Sequence, residues 1–136
     1  MLELCSKNQT IFFTTQINKA VKESDVIFIA VGTPSLANGE PNMEYLKAVA
    51  HSIGQSIDNS KLRVIINKST VPIGAGNWVE MIVNEGVETQ KLSEKPDFIV
   101  ASNPEFLREG SAIYDTLYPD RIVSGTEEER ARTILY

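Results

Sequence analysis

Short continuous apolar runs alternate along this chain with stretches in which apolar residues recur every three or four positions. The segment DVIFIAVGTP starts at Asp25, runs apolar and stops at Gly32, Thr33 and Pro34. A run of that kind bounded by turn residues predicts a strand buried on both faces, as in a parallel sheet. From Asn42 the period changes: Leu46, Val49, Ala50, Ile53 and Ile57 share one helical face. They predict a crossover helix of about four turns, with Asn42 as N-cap and Glu44 in its first turn. LRVIIN is a second buried strand, and the helix after KSTVPIGAG carries Trp78, Met81 and Ile82 on one face. DFIVASNP predicts a third strand ending at Pro104, and DRIVSG a fourth ending at Gly125. TEEERARTILY begins a last helix with Thr126 as cap. Nearer the N-terminus, TIFFTT reads as a further short strand and INKAVKES as a short helix. Strands alternating with helices at this spacing predict right-handed βαβ units and an α/β, doubly wound parallel sheet.

Composition narrows the class. A chain of 136 residues has the size of one domain. Its hydrophobic content of 42% and charged content of 23% are those of a soluble globular protein. No apolar run reaches the roughly 18 residues of a membrane span, and the N-terminal residues lack the apolar centre of a secretory signal, so a cytoplasmic setting is expected. The net charge of −5, without a Lys/Arg run, removes the footprint of a nucleic-acid binder. The single Cys5 has no partner for an internal disulfide, and the single His51, expected on the solvent side of its helix, cannot supply a metal cluster.

In open α/β sheets ligands bind beyond the carboxyl ends of the strands. Three loops occupy that edge: VGTPS, NKSTVP and SNPEFLREG. Thr33, Ser35, Ser69 and Thr70 offer hydroxyls to a phosphate, a ribose or a water, and the backbone beside Gly32 offers close approach to a flat ring. Equally, Ser and Thr fill turns and cap helices in any protein. Glu105 and Glu109 stand four apart with Arg108 between them, so a helical turn would place both carboxylates on one side for acid/base work. The alternative is a solvated turn in which Glu109 pairs with Arg108 or Arg121. Gly74 and Gly76 sit where a strand meets a helix, as in a phosphate-binding GxGxxG loop, but Val79 replaces the third glycine. A tight turn and close helix start is the simpler expectation there, with Trp78 packing the helix on the sheet.

VIFIAVGTPS, INKSTVPIG and above all SNPEFLREGSAIYDTLYPDRIVSG resemble the nucleotide-sugar dehydrogenases, most closely the UDP-glucose 6-dehydrogenase branch. The order and spacing of all three motifs agree, from about Thr10 to the end. The resemblance implies a Rossmann-like fold and a four-electron oxidation of a sugar C6 alcohol to a carboxylate by two successive NAD molecules. A cysteine holds the intermediate as thiohemiacetal and then thioester. By motif position, Val31, Gly32, Thr33, Pro34 and Ser35 would line NAD, as would Ser69, Thr70, Val71 and Glu109. Thr70 would help hold the catalytic water, Glu105 would be the acid/base, and Glu109 would close on the water site. The backbone of Glu105, Phe106, Leu107 and Arg108 would grip the UDP-sugar. Related branches act on GDP-mannose or N-acetylated UDP-hexosamines.

The resemblance also implies absences. The family's GxGxxG and the acidic residue that reads the adenosine ribose would lie before Met1. The nucleophilic cysteine, its lysine and asparagine neighbours and most of the UDP-binding domain would lie after Tyr136, and Cys5 does not match that cysteine. Residues 1–136 are therefore expected to be the C-terminal half of an NAD-binding domain. Alone they are expected to bind NAD weakly or not at all, to lack dehydrogenase activity, and to expose an unpaired apolar edge at VIFIAV. The complete protein is expected to be a homodimer or larger. A non-catalytic nucleotide-binding module is the alternative.

Overall fold

The computed structural model describes residues 5, 7, 8, 10–69, 71 and 74–135. The elements run α1 (Ile17–Glu23), β1 (Val26–Ile29), α2 (Glu44–Gly54), β2 (Arg63–Asn67), α3 (Ala75–Thr89), β3 (Phe98–Ser102), α4 (Ala112–Leu117) and α5 (Glu129–Leu135). The strands form one parallel sheet in the order β1-β2-β3. Val26 pairs with Val64 and Arg63 with Phe98, so all three carboxyl ends lie on one edge.

All five residues of β2 are buried because helices cover both faces. Side chains alternate along a strand, so Ile65 joins Ile29, Leu46, Ile53, Val79 and Val83 under α2 and α3. Val64 and Ile66 join Ile99 and Ala131 of α5 on the other face. The result is a Rossmann-like three-layer arrangement. Arg63 is fully buried at the opposite edge of the sheet. Its Nη1 donates to the carbonyls of Asp58 and Lys61, and its Nη2 to Lys22 O and Asp58 Oδ1. It thereby ties α1, β2 and the turn before β2. Hydrogen bonds from Ser60 first, and then from Arg63, hold the Asp58 carboxyl down to about 2.

α2 and α3 cross at two glycines. A Cβ on Gly54 would overlap the Val83 carbonyl oxygen, and one on Gly86 the His51 carbonyl oxygen. The Gln90 side chain donates to the carbonyls of Gly54 (2.6 Å) and Ile57 (2.9 Å), which the end of α2 leaves without helical partners.

Several expectations change. Residues 10–15 are not a strand, since none of the described strands pairs with them to complete a ladder, and Phe12 and Phe13 are exposed. Residues 120–125 keep only an isolated antiparallel bridge between Gly125 and Ser102 in place of a fourth strand. β1 is not buried on both faces: Phe28 is 56% exposed, while Val26, two residues earlier on the same face, packs against the cluster of Val64, Ile66, Ile99 and Ala131. α2 is shorter than expected and starts at Glu44, whose N–H donates to Asn42 Oδ1 from one residue beyond the cap position. α5 likewise starts at Glu129, with Thr126 Oγ1 accepting from Glu128 N–H. Met81 points to solvent while Ile82 and Val79 are buried, and His51 is half-buried under α3. Among the described residues, no helix is long and apolar enough to cross a membrane.

Candidate functional site

The three loops predicted at the carboxyl edge do converge there, and backbone hydrogen bonds hold them together. Lys68 N–H, just past β2, donates to Ile29 O of β1 at 2.9 Å, and Asn103 N–H, just past β3, donates to Asn67 O at 2.9 Å. The buried Ser69 hydroxyl joins the first two loops in both directions, donating to Val31 O at 2.7 Å and accepting from Val31 N–H at 3.1 Å. Its single proton is committed to that carbonyl. Ser69 N–H in turn donates to Asn67 Oδ1 at 3.2 Å.

Beyond Val31 the chain opens. Among the described residues Gly32 has no atom within 4 Å of the place a Cβ would occupy, so there its backbone faces open space. Thr33 is half-buried, and Pro34 and Ser35 lie exposed at the base of a small hairpin. There Asn42 N–H donates to Pro34 O at 2.8 Å, and Gly39 turns with φ +86. Val71 is half-buried and packs on the core under α2 and α3. Thr70 lies outside the described residues.

The third loop lines a cavity of about 680 Å³, bounded by Lys68, residues 103–108, residues 114–116 and residues 118–122. Glu105, Phe106, Leu107 and Arg108 are exposed and line it, and Glu109 is exposed just after them in the chain. The segment is not helical, so Glu105 and Glu109 do not share a helical face, and Gly110 turns the chain at φ +83. Arg108 pairs with neither Glu105 nor Glu109. Its Nη2 and Nε donate to the Asp115 carboxylate at 2.6 and 3.1 Å, its own backbone N–H donates there at 3.0 Å, and Ser111 Oγ adds a fourth bond at 3.0 Å. These donors, the Arg108 side chain foremost, hold the Asp115 carboxyl well below the usual carboxylate range, while Asp115 raises Arg108 in return. Arg121, the other expected partner of Glu109, lies with its guanidinium 5.0 Å above the Phe106 ring, as a cation–π contact. Glu105 and Glu109 form no ion pair among the described residues.

Three polar residues not anticipated from the sequence complete this wall. Lys68 Nζ donates to Asn103 Oδ1 at 3.2 Å, and Asn103 Nδ2 donates to Val123 O at 2.8 Å. Asp115 follows Ser111 at helical spacing, a signal readable in SAIYD only once Ser111 is known to start a helix.

Gly74 adopts φ +88 as the residue before α3, the tight turn expected of it. The groove beside it, lined in part by Gly76, Glu80, Glu127 and Glu128, is acidic and unsuited to a phosphate. Trp78 packs on the core from α3 as expected. Among the described residues no group of His, Cys, Asp and Glu could hold a metal.

A parallel sheet whose carboxyl edge presents an open glycine backbone beside a polar cavity has the parts of a dinucleotide and substrate site. The chain is 45% identical over 139 residues to the UDP-glucose 6-dehydrogenase TuaD of Bacillus subtilis (strain 168), covering 99% of this chain and 28% of that one. It is 44% identical over 126 residues to the UDP-glucose 6-dehydrogenase of Rhizobium meliloti, covering 90% and 27%. Among solved structures, a UDP-glucose dehydrogenase from Pyrobaculum islandicum superposes with a TM-score of 0.85 at 39% identity, over 98% of this chain and 30% of that one. A ternary complex of GDP-mannose dehydrogenase from Pseudomonas aeruginosa gives a TM-score of 0.89 at 35% identity over the same shares. The chain thus spans less than a third of the length of these relatives. Residues 1–136 match the NAD binding domain of the UDP-glucose/GDP-mannose dehydrogenase family throughout, and the chain belongs to that family.

Proposed function

We propose that this chain is the C-terminal half of the NAD-binding domain of a longer, cytoplasmic nucleotide-sugar 6-dehydrogenase, and that the enzyme oxidises the C6 alcohol of UDP-glucose to the carboxylate of UDP-glucuronate. The observation that carries the reading is the joining of three loops at one sheet edge, with an open backbone at Gly32 on one side and the Glu105 cavity on the other. NAD, when bound, supplies the hydride acceptor. Val31, Gly32, Thr33, Pro34 and Ser35 would line it from β1, with Ser69, Thr70 and Val71 from β2 and Glu109 from the third loop. Ser69 acts on that surface by fixing the Val31 backbone.

Glu105 is exposed to the cavity and forms no ion pair among the described residues, so it is available to take a proton from the sugar hydroxyl or from water. Thr70 and Glu109 would hold that water. The backbone of Glu105, Phe106, Leu107 and Arg108, fixed by Asp115, would orient the UDP-sugar. The nucleophilic cysteine and the first glycine-rich loop would come from outside residues 1–136, so this chain alone would not turn over. Each full oxidation would consume two NAD, and the complete protein would be a homodimer or larger.

GDP-mannose is the second reading, favoured by the TM-score of 0.89 to the GDP-mannose dehydrogenase. The higher identities to the UDP-glucose enzymes favour UDP-glucose. Initial rates of NADH formation by the complete protein with UDP-glucose, GDP-mannose and UDP-N-acetylhexosamines decide between them. The highest kcat/KM is expected on UDP-glucose, and a higher value on another sugar nucleotide overturns that assignment.

A further inference from the structure

The cavity beside Glu105 contains a cation that the family motifs assign to nothing. Lys68 is the first residue past β2 and lines the cavity together with Glu105 and Arg108. The charge of Arg108 is taken up by the four-bonded Asp115 carboxylate. Lys68 forms no ion pair among the described residues, and its hydrogen bond there goes to one neutral oxygen, Asn103 Oδ1 at 3.2 Å.

The Asn103 amide cannot turn freely to suit Lys68. Its backbone N–H is bound to Asn67 O, and its Nδ2 is bound to Val123 O at 2.8 Å. The orientation that leaves Oδ1 toward Lys68 is therefore set by two other elements. An ammonium carries three donors. With one donor spent on Asn103, the half-buried Lys68 brings to the cavity wall a positive charge outside any ion pair among the described residues, with two further N–H groups.

We propose that Lys68 is a substrate-contacting residue that grips an oxyanion of the nucleotide sugar, either its diphosphate or the carboxylate formed at C6. The proposal rests on the nucleotide-sugar reading above. A partly desolvated ammonium–oxyanion contact is a charge-assisted hydrogen bond, stronger than a neutral one. Asn103 acts through Lys68 as its positioning residue.

The test measures binding of UDP, UDP-glucuronate and uridine to the complete protein, wild type and with Lys68→Met or Lys68→Arg. Loss of one such contact raises Kd by about tenfold, whereas Lys68→Arg, which keeps the charge, stays within about threefold. Weakening of UDP and UDP-glucuronate with uridine unchanged supports contact with the diphosphate. Weakening of UDP-glucuronate alone supports contact with the carboxylate. Unchanged binding of all three, or an equal loss that includes uridine, overturns the proposal while leaving the nucleotide-sugar reading intact. Wild-type protein that binds none of the three overturns both. Should Lys68→Met fail to fold, NMR of the wild-type Lys68 side chain decides: its εCH2 signals must move on adding UDP or UDP-glucuronate and stay still with uridine, and stillness with all three overturns the contact.

Discussion

Asp115 holds Arg108 by main chain and side chain at once: its carboxylate accepts from the Arg108 backbone N–H at 3.0 Å and from Nη2 at 2.6 Å. A loop without helical or strand hydrogen bonds of its own thereby acquires a fixed backbone at the position proposed to grip the sugar nucleotide. The clamp has a defined pH window. The Asp115 carboxyl is depressed in the folded chain, chiefly by the hydrogen bond from the Arg108 side chain. A depressed carboxyl contributes fully above its unfolded value of about 3.9 and loses that contribution as pH falls toward the folded value. Titration of the Arg108 amide signal by NMR should therefore show no inflection down to about pH 4 and release only in stronger acid. An inflection at or above the ordinary carboxylate value would show that the clamp is absent. Asp115→Asn should abolish the dependence.

Ser69→Ala removes both hydrogen bonds that join the loops after β1 and β2, leaving the half-buried Val31 N–H and C=O without their partner. A cost of about 1 to 2 kcal/mol is expected in urea unfolding, with an unchanged m-value. A change of a few tenths would mean that water replaces the hydroxyl without loss.

Gly86→Ala forces a methyl into the His51 carbonyl oxygen at the crossing of α2 and α3, where neither backbone has room to move. Overpacking against rigid backbone should cost about 3 kcal/mol. Gly32→Ala enters open space and should change stability by less than about 0.5 kcal/mol. Thermal unfolding of the two variants side by side checks the contrast, and equal midpoints would refute the close helix contact.

β1 has one paired edge, toward β2, and Phe28 is exposed on its face. An unpaired strand beside exposed aromatic surface invites association. The 136-residue chain should show a concentration-dependent rise in light-scattering mass, reduced by Phe28→Lys. A monomer at all concentrations would show that the edge is otherwise protected.

What was legible in the sequence follows from locality. β2 was readable because it is buried on both faces and its apolar run is unbroken, and the period of α2 marked its buried side, whereas in α3 Trp78 and Ile82 pack inward but Met81 does not. Residues 10–15 and 120–125 carry strand-like side chains too, but a strand exists only through its neighbour, and sequence does not say whether one is present. The same limit applies to the site. The three loops and their hydroxyls could be placed from the ends of strands. The Arg108–Asp115 clamp spans seven positions across a turn, and the Lys68–Asn103 contact joins two strands' ends. Neither leaves a periodic trace. Ser69 was picked out as a ligand donor, while the structure shows its hydroxyl engaged with Val31.

Oxidation of UDP-glucose by the complete protein, followed through NADH absorbance with wild type and Glu105→Gln, bears most directly on the site at the carboxyl edge of this sheet. Two NADH per UDP-glucose consumed are expected from the wild type, with kcat lowered by about a hundredfold or more in Glu105→Gln, the loss typical of a removed acid/base group. No NADH from UDP-glucose or any other nucleotide sugar, or an undiminished rate in Glu105→Gln, would contradict it.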